Sequence, residues 1–308
     1  MKLHLNKELF SNYIALVSQE ENIDEAIVLK DYYVVLALKY IYKIHDDLVF
    51  IGGTSLSKCF GIIKRFSEDI DLVATASSRK GRQKATHEII NDLTKDWPWE
   101  TEASNHKYSD FKEMYLYYET QQDSEMDQRV KLELMTFMDP YPVIKRQIEP
   151  ILTKYLDDEE IKAYDLSPIS VLTQVPFRTC IEKITLEKEL YKDIVVDNPV
   201  DESQEKRARD FYDIHKIWIH YGKELPIDVD EFIHILTSRI NHRKKRTTIS
   251  LDEYNQYKLL EMFQKKNIRK QLEAVDYRKL SISDLDCDDI ENSLKEVDDF
   301  LENLLSKV

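Results

Sequence analysis

The sequence predicts an α/β domain of the α+β type, followed by a mainly helical domain. Three observations carry this reading. Helical and strand periodicities alternate up to about residue 140, and from Pro176 onward the apolar positions recur at helical spacing. The 308 residues include five glycines, too few for a many-turned β-sandwich, while Leu, Ile, Lys and Glu are abundant. At 42% hydrophobic residues the chain can build a full core, and its length favours two domains, placed at 1–145 and 146–308.

Residues 24–45 set Ile27, Val28, Tyr32, Val34, Val35, Leu38, Ile41 and Ile44 at helical spacing, which predicts a long helix with a wide buried face. Leu48-Val49-Phe50-Ile51 is an apolar run that stops at Gly52-Gly53, a buried strand running into a turn. Thr54 suits the cap of a helix reaching about Ile63, because its hydroxyl can satisfy an unpaired amide. Residues 69–74 alternate as a strand, and 80–95 form a helix ended by Pro98. Residues 111–119 and 129–137 are further strands. Pro140, Pro142 and Pro150 punctuate the exit from this domain. Residues 151–170 stay open between loop and edge strand. Helices follow at about 177–192, 203–222, 228–240, 250–265 and 286–306, with a loop at Val195–Val200 between the first two.

The formal net charge of −14 predicts solubility and argues against a general polyanion binder. Any nucleic-acid contact must come from a local basic surface. Asn241-His242-Arg243-Lys244-Lys245-Arg246 is the one dense basic cluster: either an RNA-backbone contact or a solvated loop. Cys59, Cys180 and Cys287 are far apart, odd in number and without metal-ligand spacing, as expected of reduced cysteines in a cytoplasmic protein. No apolar leader follows Met1 and no stretch reaches transmembrane length, so no membrane partner is expected. His215 and His220, five apart, lack zinc-ligand spacing.

The chemistry concentrates between Phe50 and Val73. A strand ending in Gly52-Gly53 and opening a helix presents backbone amides to an anion, with Thr54 and Ser55 adding hydroxyls; a plain turn is the alternative. Asp69 and Asp71, two apart on a strand, project from one face while Ile70 and Leu72 enter the core. Paired carboxylates repel unless a cation lies between them, and oxygen-rich sites with open positions suit Mg²⁺, with Mn²⁺ as the alternative ion. An acidic strand end facing solvent is the competing account. Val130-Lys131-Leu132-Glu133-Leu134 repeats the alternation, and Glu133 joins the same acidic face if the two strands are neighbours. There it would hold metal or take a proton from an acceptor hydroxyl. A solvent-facing Lys/Glu row is the alternative.

Together, Gly-Gly-Thr, then Asp-x-Asp on the next strand, then a distant third acid resemble the polymerase-β-like nucleotidyltransferase fold. Gly52-Gly53-Thr54-Ser55-Leu56-Ser57-Lys58 with Arg65-Phe66-Ser67-Glu68-Asp69-Ile70-Asp71-Leu72 looks like the AbiEii/AbiGii toxin family, with the MenT toxins as relatives, over roughly residues 45–220. The resemblance implies a nucleotidyltransferase fold with a mixed sheet and a helical domain completing an active-site cleft. It also implies two later motifs. A helix lysine matches Lys183 and would touch nucleotide phosphates, and a basic-Asp-x-x-Asp signature matches Arg209-Asp210-Phe211-Tyr212-Asp213, with Asp210 as an active-site acid. For Lys183 a salt-bridged helix face among Glu182, Glu187 and Lys188 competes equally. For Asp213 a helix-surface pair with Arg209 or Lys216 competes. Lys58, Arg65 and Ser67 would line the phosphate pocket, against a reading as surface charge and turn chemistry.

The expected reaction is Mg²⁺-dependent transfer of a nucleoside monophosphate from a nucleoside triphosphate (NTP) to an acceptor hydroxyl, releasing pyrophosphate. The resemblance implies the toxin of a toxin–antitoxin or abortive-infection system, a cognate antitoxin, and tRNA 3′ ends as acceptor. Nucleotidylation of a protein side chain is the second reading. A non-catalytic nucleotide- or antitoxin-binding module is the third, and decay of catalysis should have erased the Asp-x-Asp that is present.

Overall fold

The computed structural model describes residues 2–65, 67, 69–75, 78–103, 111–119, 128–197, 204–222, 229–242, 249–265, 268–269, 272 and 286–306. They fall into two compact units, one ending at Gln174 and the other starting at Val175. The basic run Arg243-Lys244-Lys245-Arg246, open between an RNA contact and a solvated loop, lies outside the described residues.

The first unit runs α1 (Lys7–Glu21), α2 (Glu25–Tyr42), β1 (Val49–Ile51), α3 (Gly52–Phe60), β2 (Ile70–Val73), α4 (Arg79–Asp96), β3 (Thr101–Ala103), β4 (Phe111–Tyr117), β5 (Arg129–Met135), β6 (Val143–Ile148), α5 (Asp158–Ala163) and β7 (Ile169–Gln174). Its strands form one mixed sheet in the order β3-β4-β5-β2-β1-β7-β6. The pairs β2–β5 and β1–β7 are parallel and the remaining neighbours antiparallel. β1 and β2 sit inside the sheet, which is why their core positions Val49, Phe50, Ile51, Ile70, Leu72 and Val73 are apolar.

Asp24 caps α2, its carboxylate accepting from the Ala26 amide at 2.8 Å. Val28, Val34, Leu38 and Ile41 of α2 share one core with Phe50, Ile70, Leu72 and Leu132 of the sheet. α1 packs on α2 through Phe10, Ile14 and Val17, and Asn22 in the left-handed region (φ 53°) ends it. The Tyr33 ring stacks on Tyr118 at 4.0 Å and ties α2 to the residue following β4.

Two strands lie in or beyond the stretch where the sequence places a domain boundary. Lys145 is inside β6, and β7 lies between β1 and β6, so the sheet continues to Gln174. Polar residues disguise β7. Thr173 is fully buried yet donates its hydroxyl to the Phe50 carbonyl at 2.8 Å, and Gln174 donates to the Pro140 carbonyl at 3.1 Å.

The second unit consists of α6 (Pro176–Asp197), α7 (Gln204–Tyr221), α8 (Val229–His242), α9 (Leu251–Tyr254), α10 (Leu259–Lys265) and a last helix, Cys287–Leu305. It buries Ile181, Ile184, Phe211, Ile214, Phe232, Met262, Phe263, Leu294 and Val297. α6 continues through Val195 to Asp197, past the point where a loop is expected. The single helix expected over 250–265 is two short ones. The buried Asp298 turns its carboxylate to the start of α10 and accepts from the Leu259 and Leu260 amides at 3.0 and 3.1 Å. Among the described residues no helix is long and apolar enough to cross a membrane.

Candidate active site

β1 delivers the chain to Gly52, whose φ of 78° lies in the region that glycine alone adopts freely. α3 starts there with Ile51 as its cap, a residue whose side chain offers no acceptor to the first amides. Both glycines are also needed for space. A Cβ on Gly52 would collide with Asp71 Oδ2, and one on Gly53 would come within 2.5 Å of the Arg65 guanidinium and 3.0 Å of Ser67 Oγ. The turn is therefore a surface on which Asp71, Arg65 and Ser67 are seated.

Thr54 does not cap the helix. It lies in the first turn, 1% exposed, and donates its hydroxyl to the Asp69 carbonyl at 2.6 Å, with Ser67 Oγ 2.9 Å away. Ser55 is likewise turned inward, donating to the Gly52 carbonyl at 2.8 Å. These two hydroxyls brace the loop from within.

On β2, Ile70 and Leu72 are fully buried, while Asp71 and the preceding Asp69 are partly exposed. Asp71 pairs with Ile51 of β1 on one side and with Glu133 of β5 on the other. Gly52, Asp71 and Glu133 thus lie on three adjacent stretches of backbone, although Glu133 follows Asp71 by 62 residues in the sequence. Two hard carboxylates beside a phosphate-sized bend suit Mg²⁺, which takes one or two carboxylates and completes its shell with water and substrate phosphate. Among the described residues no group of three or more His, Cys, Asp or Glu is gathered for a metal.

Glu133 instead accepts from Lys131 Nζ at 2.5 Å, and the same ammonium lies 2.9 Å from Glu113 Oε2 on β4. Burial opposes the Lys131 charge. Hydrogen bonds to Glu133 and Glu113, with the charges of Glu133 and Asp69, outweigh that and hold its pKa above the ordinary lysine range. Glu113 is absent from the sequence expectation, since only the β4–β5 register brings it opposite Glu133, while Lys131 figures there only in the competing Lys/Glu row.

Lys58 is committed elsewhere. It forms a buried ion pair with Asp31 of α2, whose other oxygen accepts from the Ile151 amide at 2.7 Å. That joins α3 to α2 rather than reaching toward the Gly52 bend. Arg65 is 6% exposed and packed on Gly53.

Within the second unit, Lys183 of α6 ion-pairs with Asp210 and Asp213 of α7, the latter at 2.9 Å. Lys183 reaches across to α7, and Asp213 is fully buried beneath it. Asp210 keeps some exposure, unlike Asp213. Burial pushes the neighbouring Cys180 thiol up to about 12, so it is inert.

A family model described as nucleotidyl transferase AbiEii toxin, type IV TA system, matches residues 40–304. That span holds every candidate residue above from Gly52 to Asp210. A search of curated proteins finds no match to the chain.

Proposed function

The chain belongs to the AbiEii nucleotidyl transferase toxin family, and on that premise we propose that it transfers a nucleoside monophosphate from an NTP to a hydroxyl at the 3′ end of tRNA. Nucleotidyltransferase activity, an NTP substrate and a cognate antitoxin come with the family, which is the toxin of a type IV system. The acceptor, the ion and the residue roles are our reading. So is a cytoplasmic location.

The observation that carries it is the seat of Asp71 against Gly52, with Glu133 in register beside it. The α3 amides at Gly52–Ser55 receive the NTP phosphates, favoured by the helix N-terminus. Arg65 and Ser67 shape that cradle by packing on Gly53. Asp69 and Asp71 would hold Mg²⁺, which would supply charge neutralisation at the phosphates. Glu133 takes the proton of the attacking hydroxyl as its oxygen bonds to the α-phosphorus, and the bond from that phosphorus to the β-phosphate bridging oxygen breaks, releasing pyrophosphate. By the family resemblance, Lys183 contacts nucleotide phosphates and Asp210 is an active-site acid. Their ion pair supports this by holding the lysine head at the acid.

The test is incubation of the purified chain with α-labelled NTPs, tRNA or cell protein, and Mg²⁺, Mn²⁺ or EDTA. Label on tRNA, lost with EDTA and in Asp69→Ala, is the expected result. Label in protein alone rejects the tRNA acceptor. Growth inhibition that persists unchanged in Asp69→Ala rejects catalysis as the toxic agent.

A further inference from the structure

A cation stands within the acidic face beside Glu133. Lys131 projects from the same side of β5 as Glu133, two residues on, and its ammonium lies between Glu133 Oε1 at 2.5 Å and Glu113 Oε2 at 2.9 Å. Glu113 is itself fixed. It is 9% exposed, and its other oxygen accepts from the Tyr115 hydroxyl at 2.7 Å. The Tyr115 ring in turn lies under the Arg129 guanidinium at 4.2 Å. These groups alternate along β4 and β5 on one side of the sheet, and the register sets Glu113 opposite Glu133 and Glu133 beside Asp71. The row from Arg129 to Asp71 is therefore continuous, with Lys131 at its centre.

We propose that Lys131 and Glu113 are positioning residues of the acidic face: Glu113 tethers Lys131, and Lys131 holds the Glu133 carboxylate next to Asp71 while supplying a positive charge against which a divalent cation must bind. The inference rests on the assignment of Asp69 and Asp71 as the metal-holding pair. It has two consequences of opposite sign. Removing the Lys131 charge makes the face more negative, so ion binding tightens. Removing it also frees Glu133 to swing, so turnover falls. An ordinary strand salt bridge predicts neither.

The experiment titrates the full chain, without NTP, with Mn²⁺ by calorimetry. Lys131→Met binds Mn²⁺ roughly tenfold tighter than the unsubstituted chain, the order expected for a single and a double charge a few ångströms apart in a part-solvated site. Lys131→Arg, which keeps the charge, stays within about twofold. In pyrophosphate release, Lys131→Met lowers kcat about tenfold at nearly constant KM for NTP, and Lys131→Arg restores most of it. Lys131→Gln replaces Lys131→Met where the latter does not fold. Mn²⁺ affinity that is unchanged or weaker in the charge-removing variant, while Asp71→Asn abolishes binding, overturns the proposal alone. Mn²⁺ binding that survives Asp71→Asn intact overturns the metal assignment beneath it.

Discussion

Gly52 and Gly61 bracket α3, and both have positive φ, 78° and 64°. An alanine Cβ at Gly61 meets nothing within 4 Å, whereas at Gly52 it runs into Asp71 Oδ2. The pair separates backbone strain from the collision. Each substitution carries about 1–2 kcal/mol for a left-handed alanine. Gly52→Ala adds overpacking of about 1–3 kcal/mol. Ordinary contact is regained only if the Asp71 carboxylate retreats by about 1 Å, and a misplacement of that size costs on the order of 100-fold in rate. Urea denaturation and pyrophosphate release on both variants make the assay. Gly61→Ala is expected to lose roughly 1–2 kcal/mol of stability with full turnover per folded molecule, and Gly52→Ala to lose more stability and about two orders of magnitude in kcat. Equal kcat in the two variants would refute the placement of Asp71 at the catalytic bend.

Three further outcomes follow from buried groups. Thr54→Val leaves the Asp69 carbonyl without its 2.6 Å donor and lowers stability by about 1–3 kcal/mol, with Thr54→Ser recovering most of it; denaturation midpoints decide this. Asp31→Asn strips the buried Lys58 of its countercharge and the Ile151 amide of a charged acceptor, for a loss of about 3 kcal/mol read by the same method. Burial lowers Lys188 to about 8, against which the charge of Asp298 acts only weakly. Because this folded-state value lies below the unfolded one, the unfolded chain binds more protons between pH 8 and 10.5, so stability rises with pH across that window. The penalty, about 3 kcal/mol, is fully present below pH 8, and Lys188→Met should flatten that slope relative to the unsubstituted chain.

The residues with a period to betray them were legible. Gly52-Gly53 interrupts an apolar run, Asp69 and Asp71 alternate with Ile70 and Leu72, and Val130, Leu132 and Leu134 alternate with Lys131 and Glu133. Each pattern states a face without any knowledge of its neighbour. What needed a neighbour stayed hidden. Glu113 joins the acidic face only because β4 pairs with β5 in one register. Lys58, one turn beyond the glycines, looks aimed at phosphate until Asp31 of α2 is found beside it. Thr54 has the right chemistry for a cap, but the chain enters its helix three residues early and gives the hydroxyl to Asp69 instead. α1 carries no expectation from the sequence, although Phe10, Ile14 and Val17 have helical spacing, and the start of β7 stays open between loop and strand, because Ser170, Thr173 and Gln174 dilute its apolar character.

Among the described residues the sheet stops at β6, whose outer row of amides and carbonyls meets no further strand. Such a rim invites a second molecule to dock strand against strand. Here its middle is Lys145-Arg146, both exposed, with Arg146 also resting over the Phe60 ring at 5.3 Å. Two copies meeting antiparallel about this point would bring four cations together. The mutual repulsion guards a rim that carries the exposed Ile144, and salt would weaken that guard first.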